Sequence, residues 1–181
     1  MGLFVESEKT VMTTIEVPCL TIRQPWAGFV MMGQKPVENR TWSHGYCGPL
    51  LIHSSRVHQF PNPPFMYYQM AGISPDDVSD VSPKYTYRDR PEFQCGVILG
   101  VAIKGPCEFR PRQEPPSRWH DRGMRWWPLR SPVMFVRPIR YSGRLGIFEV
   151  EIDAATRLTK GGTLADYITY AESRAEEACQ R

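Results

Sequence analysis

Short runs of apolar and β-branched residues, separated by glycine and proline, dominate the chain. Such runs predict strands joined by tight turns, because glycine and proline both interrupt regular structure. The predicted strands lie at residues 19–23, 35–42, 48–55, 94–109, 131–140 and 145–152. About six strands with two or three helices predict an α+β fold, a small and partly closed β-barrel.

Two helices are predicted from their boundary residues. The first covers residues 25–32, where Pro25 suits a first helical turn and Gly33 ends the helix. The second begins at Thr163, a good N-cap residue, with Asp166 in its first turn. A third, short helix is possible at residues 65–71, within a segment rich in Pro, Tyr and Asp.

A length of 181 residues and an apolar content of 41% predict one domain with a single core. We expect an N-terminal arm at residues 1–18, the domain at residues 19–153 and a C-terminal helical extension at residues 154–181. An irregular insertion is expected at about residues 57–93.

Five cysteines without a C-x-x-C pair are poor material for a disulfide framework. No apolar run approaches the roughly 20 residues of a membrane span, and the first residues lack the regions of a signal peptide. We therefore expect a soluble, intracellular protein without a membrane partner, cytoplasmic, or nuclear if the source is eukaryotic.

Positive charge is concentrated between Lys104 and Arg144, where ten basic residues face three acidic ones for a net charge of +7. Arginine dominates this stretch, and its guanidinium suits bidentate phosphate contacts and stacking on bases. Tryptophans are interleaved with the arginines, a pattern that single-stranded RNA binding uses. The expected nucleic-acid surface comprises Arg118, Trp119, Arg122, Arg125, Trp126 and Arg130. A solvated loop that packs the two tryptophans is the alternative. Trp127 is expected in the core.

Lys35, Glu38 and Arg40 follow a glycine turn and form the candidate ligand site. Glu38 and Arg40 share one face of an extended chain, whereas Lys35 needs a turn or bulge to join them. Lys and Arg can bind phosphate or carbonyl oxygens, and Glu can accept from an exocyclic amine. A surface salt bridge would use the same residues and contribute little stability.

The sequence from Leu20 to Trp42, LTIRQPWAGFVMMGQKPVENRTW, resembles the opening of ASCH domains, named for activating signal cointegrator homology. Its central part fits the family pattern G-x-K-x-x-E-x-R at Gly33, Lys35, Glu38 and Arg40. The resemblance covers about residues 19–152 and implies a PUA-like β-barrel. It also implies that these side chains surround a cleft between the helix and the barrel.

Five further residues are expected near this cleft: Arg23, Gln24, Trp26, His53 and Ser54. The first three lie where the first strand meets the helix, which faces the cleft in this fold. Trp26 can stack on a base or belong to the core. His53 and Ser54 can complete the pocket, although a hydrogen-bonded core histidine is the commoner arrangement.

The resemblance implies three alternative functions. The first is binding of RNA, of single-stranded nucleic acid or of a modified nucleotide. The second is hydrolysis, either of N4-acetylcytidine, which one bacterial branch deacetylates with a lysine matched here by Lys35, or of RNA. That branch has a threonine where this chain has Glu38, so Lys35 and Glu38 would act as acid and base on water. The third is a transcriptional interaction module, which needs no pocket chemistry.

Metal and cofactor sites are not predicted. His44 and Cys47 have ligand-like spacing, but no second pair of matching spacing follows, and structural zinc requires four ligands. The common phosphate-loop, metalloprotease and nucleophile-elbow motifs do not occur in the sequence.

Overall fold

The computed structural model describes residues 13–58, 90–109 and 116–179. This part of the chain contains six strands: β1 (Thr14–Gln24), β2 (Val37–Arg40), β3 (Gly48–His58), β4 (Val97–Lys104), β5 (Arg125–Arg140) and β6 (Ile147–Asp153). It also contains the α-helices α1 (Trp26–Met31) and α2 (Leu164–Cys179), with a 3₁₀ turn at Pro91–Phe93. The predicted α+β class and the number of strands are therefore confirmed.

The strands form one mixed sheet in the order β2-β5-β4-β3-β1-β6. β1 and β3 run parallel, whereas the other neighbouring strands run antiparallel. β2 and β6 are the two edges, and in the described part of the chain they do not close the sheet into a barrel.

Apolar side chains cover both faces of the sheet, so the central strand β4 is buried along its whole length. One face packs under α2, where Leu164 and Ala171 contact the apolar side chains of the sheet. The other face packs under α1, through Ala27 and Val30. Trp127 is 0% exposed and belongs to this second core, as predicted from the sequence.

Two strands begin earlier than the sequence pattern predicted. β1 begins at Thr14 rather than Cys19, because residues 14–18 pair with residues 149–153 of β6. These five residues were expected in the N-terminal arm. β5 begins at Arg125 rather than Ser131, because its first residues pair with β2. The helix considered for residues 65–71 lies outside the described residues.

The connection from β1 through α1 to β2 follows the predicted order of strand, helix and glycine turn. Pro25 precedes the first helical residue, after a cis peptide bond from Gln24. Gly33 has a φ of 76° and follows the helix. The turn then brings the chain back, and the Lys35 amide donates to the Phe29 carbonyl oxygen over 3.0 Å. This return places Lys35 beside β2.

No helix within the described ranges is long and apolar enough to cross a bilayer.

Candidate functional site

A cavity of about 640 Å³ lies where β1, α1 and β2 meet. The end of β1 and the start of α1 form one wall, through Arg23 and Trp26. The β2 segment forms a second wall. The loop before β5 and the loop between β5 and β6 form the remaining sides, and the residues that they contribute are Arg118, Trp119, Asp121, Arg144, Leu145 and Gly146.

Glu38 lies between two cations on the wall of this cavity. Lys35 Nζ is 3.0 Å from Glu38 Oε2, and Arg40 Nε is 3.1 Å from Glu38 Oε1. The two contacts differ in kind, because the Lys35 ammonium donates a hydrogen bond to Glu38 whereas the Arg40 Nε–H is not aligned for one. The side chains of Lys35 and Glu38 are only 6% and 11% exposed. The predicted convergence of these three residues is therefore observed.

Backbone contacts fix the two cations in place. Lys35 Nζ also donates to the carbonyl oxygen of Val37, and Arg40 Nη2 donates to that of Thr21 over 2.9 Å. The second contact ties β2 to the end of β1 across the cavity. Because charge-assisted hydrogen bonds are stronger than neutral ones, these contacts hold the three charged side chains in a defined geometry.

The cavity favours an anionic ligand. Among the described residues, its lining contains five basic side chains and two acidic ones, Glu38 and Asp121. Each carboxylate oxygen of Glu38 has two lone pairs, and only Oε2 accepts a hydrogen bond from a neighbouring cation, Lys35. Glu38 can therefore accept a further hydrogen bond, and the net positive charge of the lining favours anionic groups.

Aromatic rings form the wall next to α1. Trp26 is half-buried, and its ring packs edge-on against Trp119 at a centroid distance of 6.2 Å. Asn39 holds the loop that carries Trp119, because its Nδ2 donates to the Trp119 carbonyl oxygen over 2.8 Å and its Oδ1 accepts from the Asp121 amide over 3.1 Å. Trp26 is the more exposed of these two rings.

Three predicted pocket residues do not line the cavity. Gln24 is fully buried and joins β1 to the segment before β4, since its Nε2 donates to the carbonyl oxygens of Glu92 and Gln94. Ser54 donates to the Gln94 carbonyl oxygen over 2.7 Å. His53 lies behind the wall, between the Thr21 hydroxyl at 3.1 Å and the Tyr141 carbonyl oxygen at 3.2 Å. These contacts hold strands together, so the ligand role expected for the three residues is not supported by their positions.

The six residues of the predicted nucleic-acid surface do not lie together in the fold. Arg118 and Trp119 line the cavity. Trp126, expected as a stacking platform, is 1% exposed, because its ring packs in the aromatic cluster around Phe29. Arg125 lies over the Phe109 ring at 4.6 Å from its centroid. Arg122 and Arg130 are exposed and do not line the cavity.

Arg144 and Leu145 are cavity residues that sequence analysis did not identify. They lie in the loop between β5 and β6, about a hundred residues along the chain from Lys35. The Leu145 side chain is 99% exposed. A leucine beside an arginine and between two glycines was the available signal, but only the fold shows that this loop borders the cavity.

The described residues contain no group of three or more His, Cys, Asp or Glu side chains placed to hold a metal ion.

No family model matches this chain, and a search of curated proteins also finds no match. The resemblance of residues 20–42 to ASCH domains therefore stays a prediction.

Proposed function

We propose that this protein is an ASCH domain of the PUA-like class that binds one nucleotide of an RNA strand in the cavity. The observation that carries the proposal is the position of Glu38, held between Lys35 and Arg40 on the wall of a nucleotide-sized cavity. Glu38 accepts from the edge of the base, and the surrounding arginines contact phosphate. Trp26 stacks on the base.

Two structural features support the assignment to this class. The pattern from Gly33 to Arg40 begins after α1 and ends β2, in the order of elements that the resemblance implies. β5 is irregular, since Ser131 has a φ of 49° and the β4–β5 pairing shifts register twice. Such irregularities curve a sheet, as a PUA-like barrel requires.

Lys35→Met tests the binding proposal, because methionine keeps the aliphatic stem and removes the charge. The variant should stay folded, since Glu38 keeps its ion pair with Arg40. Its affinity for cytidine and adenosine monophosphates, measured by titration calorimetry, should fall at least about tenfold, because a lost charge-assisted hydrogen bond costs about 1.5–3 kcal/mol. Lys160→Met is the control, since Lys160 is exposed and lies outside the cavity. Wild-type affinity in a folded Lys35→Met variant would reject the site.

The second candidate function is hydrolysis of a modified nucleoside. The distance of 3.0 Å between Lys35 Nζ and Glu38 Oε2 supports it, because such a pair can act as acid and base on a water molecule. Glu38→Gln separates the two functions, because glutamine keeps the shape and one acceptor but cannot take a proton. A binding domain should keep much of its nucleotide affinity, whereas a hydrolase should lose turnover of N4-acetylcytidine, followed by mass spectrometry.

A further inference from the structure

A second cavity, of about 670 Å³, is lined by residues at the start of the loop between β5 and β6, among them Tyr141 and Ser142. Its basic lining residues are Arg56, Arg140 and Arg144, and no described acidic residue lines it. Arg144 lines both this cavity and the first one. The consecutive residues Ser55 and Arg56 line the first and the second cavity, respectively. The two cavities are therefore adjacent, with Arg144 between them.

The basic surface continues beyond the second cavity. A third cavity, of about 530 Å³, shares Arg56 and Arg140 with the second and is again without an acidic lining residue among the described ones. The three cavities thus form a row, in which Arg144 joins the first to the second and Arg56 and Arg140 join the second to the third. We call the second and third cavities the arginine trough.

Arg56 is held in position at the trough. Its Nη2 donates to the Ser142 hydroxyl over 3.2 Å, which ties the end of β3 to the loop after β5. Its side chain also lies close over Gly96, where an added Cβ would come within 3.2 Å of Arg56 Cγ. Arg140 pairs with Val97 in the next strand, so both arginines extend from hydrogen-bonded strands. Preorganisation of this kind lowers the entropic cost of binding.

From this row of cavities we infer that the arginine trough binds the phosphates of a single-stranded nucleic acid whose neighbouring nucleotide occupies the first cavity. The inference rests on the proposed function of that cavity and adds where the neighbouring phosphates of the strand bind. A strand must be single to place a separated base in the cavity. Its phosphates then follow the trough past Arg144 to Arg56 and Arg140.

A nucleic acid fits the trough better than an acidic peptide does. Guanidinium groups bind phosphate through two parallel hydrogen bonds, and a nucleic-acid strand provides one phosphate for each nucleotide at regular intervals. The trough also contains the half-buried ring of Tyr141, which a base can contact and an acidic side chain cannot stack on.

Binding of cytidylates of increasing length tests the inference. Wild-type protein should bind a labelled octanucleotide at least about tenfold more tightly than cytidine monophosphate in moderate salt, because the longer strand adds phosphate contacts. The double variant Arg56→Gln/Arg140→Gln should lose most of this gain, and its log–log salt slope should be shallower by about 1.4, at about 0.7 for each of two phosphates. Its affinity for cytidine monophosphate should not change.

Arg157→Gln is the matched control, because Arg157 is exposed and lines none of the three cavities. The inference is overturned if a folded double variant keeps the wild-type octanucleotide affinity, if Arg157→Gln loses as much, or if an oligoglutamate of equal charge binds the trough more tightly than the octanucleotide. A different result would reject the proposed function, nucleotide binding in the first cavity. In that case Lys35→Met leaves monophosphate binding unchanged, while the double variant still weakens octanucleotide binding.

Discussion

Gly143 allows the loop between β5 and β6 to pack closely against the side chains of β1 and β3. A Cβ added there would come within 2.5 Å of His53 Cε1 and 2.7 Å of Thr21 Oγ1. His53 is 1% exposed and hydrogen-bonded on both sides, so it has little room to move. The glycine therefore lets the loop lie directly over β1 and β3, where it borders both the cavity and the arginine trough.

Gly143→Ala should destabilise the protein by about 1–3 kcal/mol, the usual cost of overpacking a close contact. Urea unfolding measures this free energy. Gly45→Ala is the control, because nothing lies within 4 Å of a Cβ at Gly45. Equal stability of the two variants would show that the loop does not contact His53.

His53 should make the stability of the protein depend on pH. Burial lowers the pKa of His53 below its ordinary value of 6.5. The unfolded chain therefore binds a proton at a higher pH than the folded protein does, and the free energy of unfolding falls as pH decreases through 6.5. His53→Gln should reduce this fall when urea unfolding is compared above and below that pH. An unchanged pH dependence in the variant would contradict the assignment. His120, whose pKa burial also lowers, accounts for a remaining slope.

The three charged residues of the site were predictable because they are close in sequence. Lys35, Glu38 and Arg40 lie within one turn and one short strand. Strand periodicity places Glu38 and Arg40 on one face, and the family resemblance implied that Lys35 joins them. Gln24 and His53 were assigned to the same cleft and instead form hydrogen bonds inside the fold. Their partners, Glu92 and Tyr141, are 68 and 88 residues away in the chain, a pairing that local pattern does not contain.

At the level of elements, the start of α2 is stabilised by a reciprocal cap. The Asp166 amide donates to Thr163 Oγ1 over 3.3 Å, while Asp166 Oδ2 accepts from the Thr163 amide and hydroxyl, each over 2.8 Å. These bonds lower the pKa of the Asp166 carboxyl below its ordinary 3.8, first through the Thr163 amide. The N-cap role predicted for Thr163 is confirmed.

Thr163→Ala should destabilise the protein by about 1 kcal/mol, the usual cost of losing a threonine N-cap. The pKa of Asp166 should rise only part of the way toward 3.8 in the variant, because alanine removes the hydroxyl but keeps the backbone amide that donates to Oδ2. An NMR titration of the Asp166 carboxyl carbon measures this rise. Thr169→Ala is the control, because Thr169 is exposed inside the same helix, where alanine is the better helix former. An Asp166 pKa that is unchanged by Thr163→Ala would reject the cap.

The sequence predicted the boundaries of elements that begin or end at a turn or cap residue. It missed the boundaries that are set by pairing with a neighbouring strand. Gly33 and Thr163 mark the end of α1 and the start of α2 within one residue or two. The starts of β1 and β5 have no such signal. Residues 14–18 are strand because β6 lies beside them, and residues 125–128 are strand because β2 does.

At the level of the whole molecule, the sequence indicates where positive charge is concentrated but not which arginines meet. Arg118 and Arg144 belong to the basic stretch and line one cavity, although 26 residues separate them in the chain. Arg56 lies outside that stretch and meets Arg140 through the pairing of β3 with β4 and of β4 with β5. The sheet order therefore determines the basic surface, and sequence proximity does not reveal it.

Arg118 and Arg130 test whether nucleic acid binds at the cavities. The sequence predicts both residues in the nucleic-acid surface, but the fold places only Arg118 at a cavity. Both are exposed, but Arg118 lines the first cavity whereas Arg130 lines none of the three described cavities. Affinity for the cytidylate octanucleotide should fall with salt in the wild type, since phosphate contacts release counterions.

Arg118→Gln should weaken this binding severalfold and make the log–log salt slope shallower by about 0.7, the contribution of one phosphate on a single strand. Arg130→Gln should change neither quantity, because Arg130 lines none of the three cavities. Fluorescence anisotropy across a salt series measures both. If instead Arg130→Gln weakens binding and Arg118→Gln does not, the strand follows the face of β5 that carries Arg130. The cavity around Glu38 would then not be the RNA site.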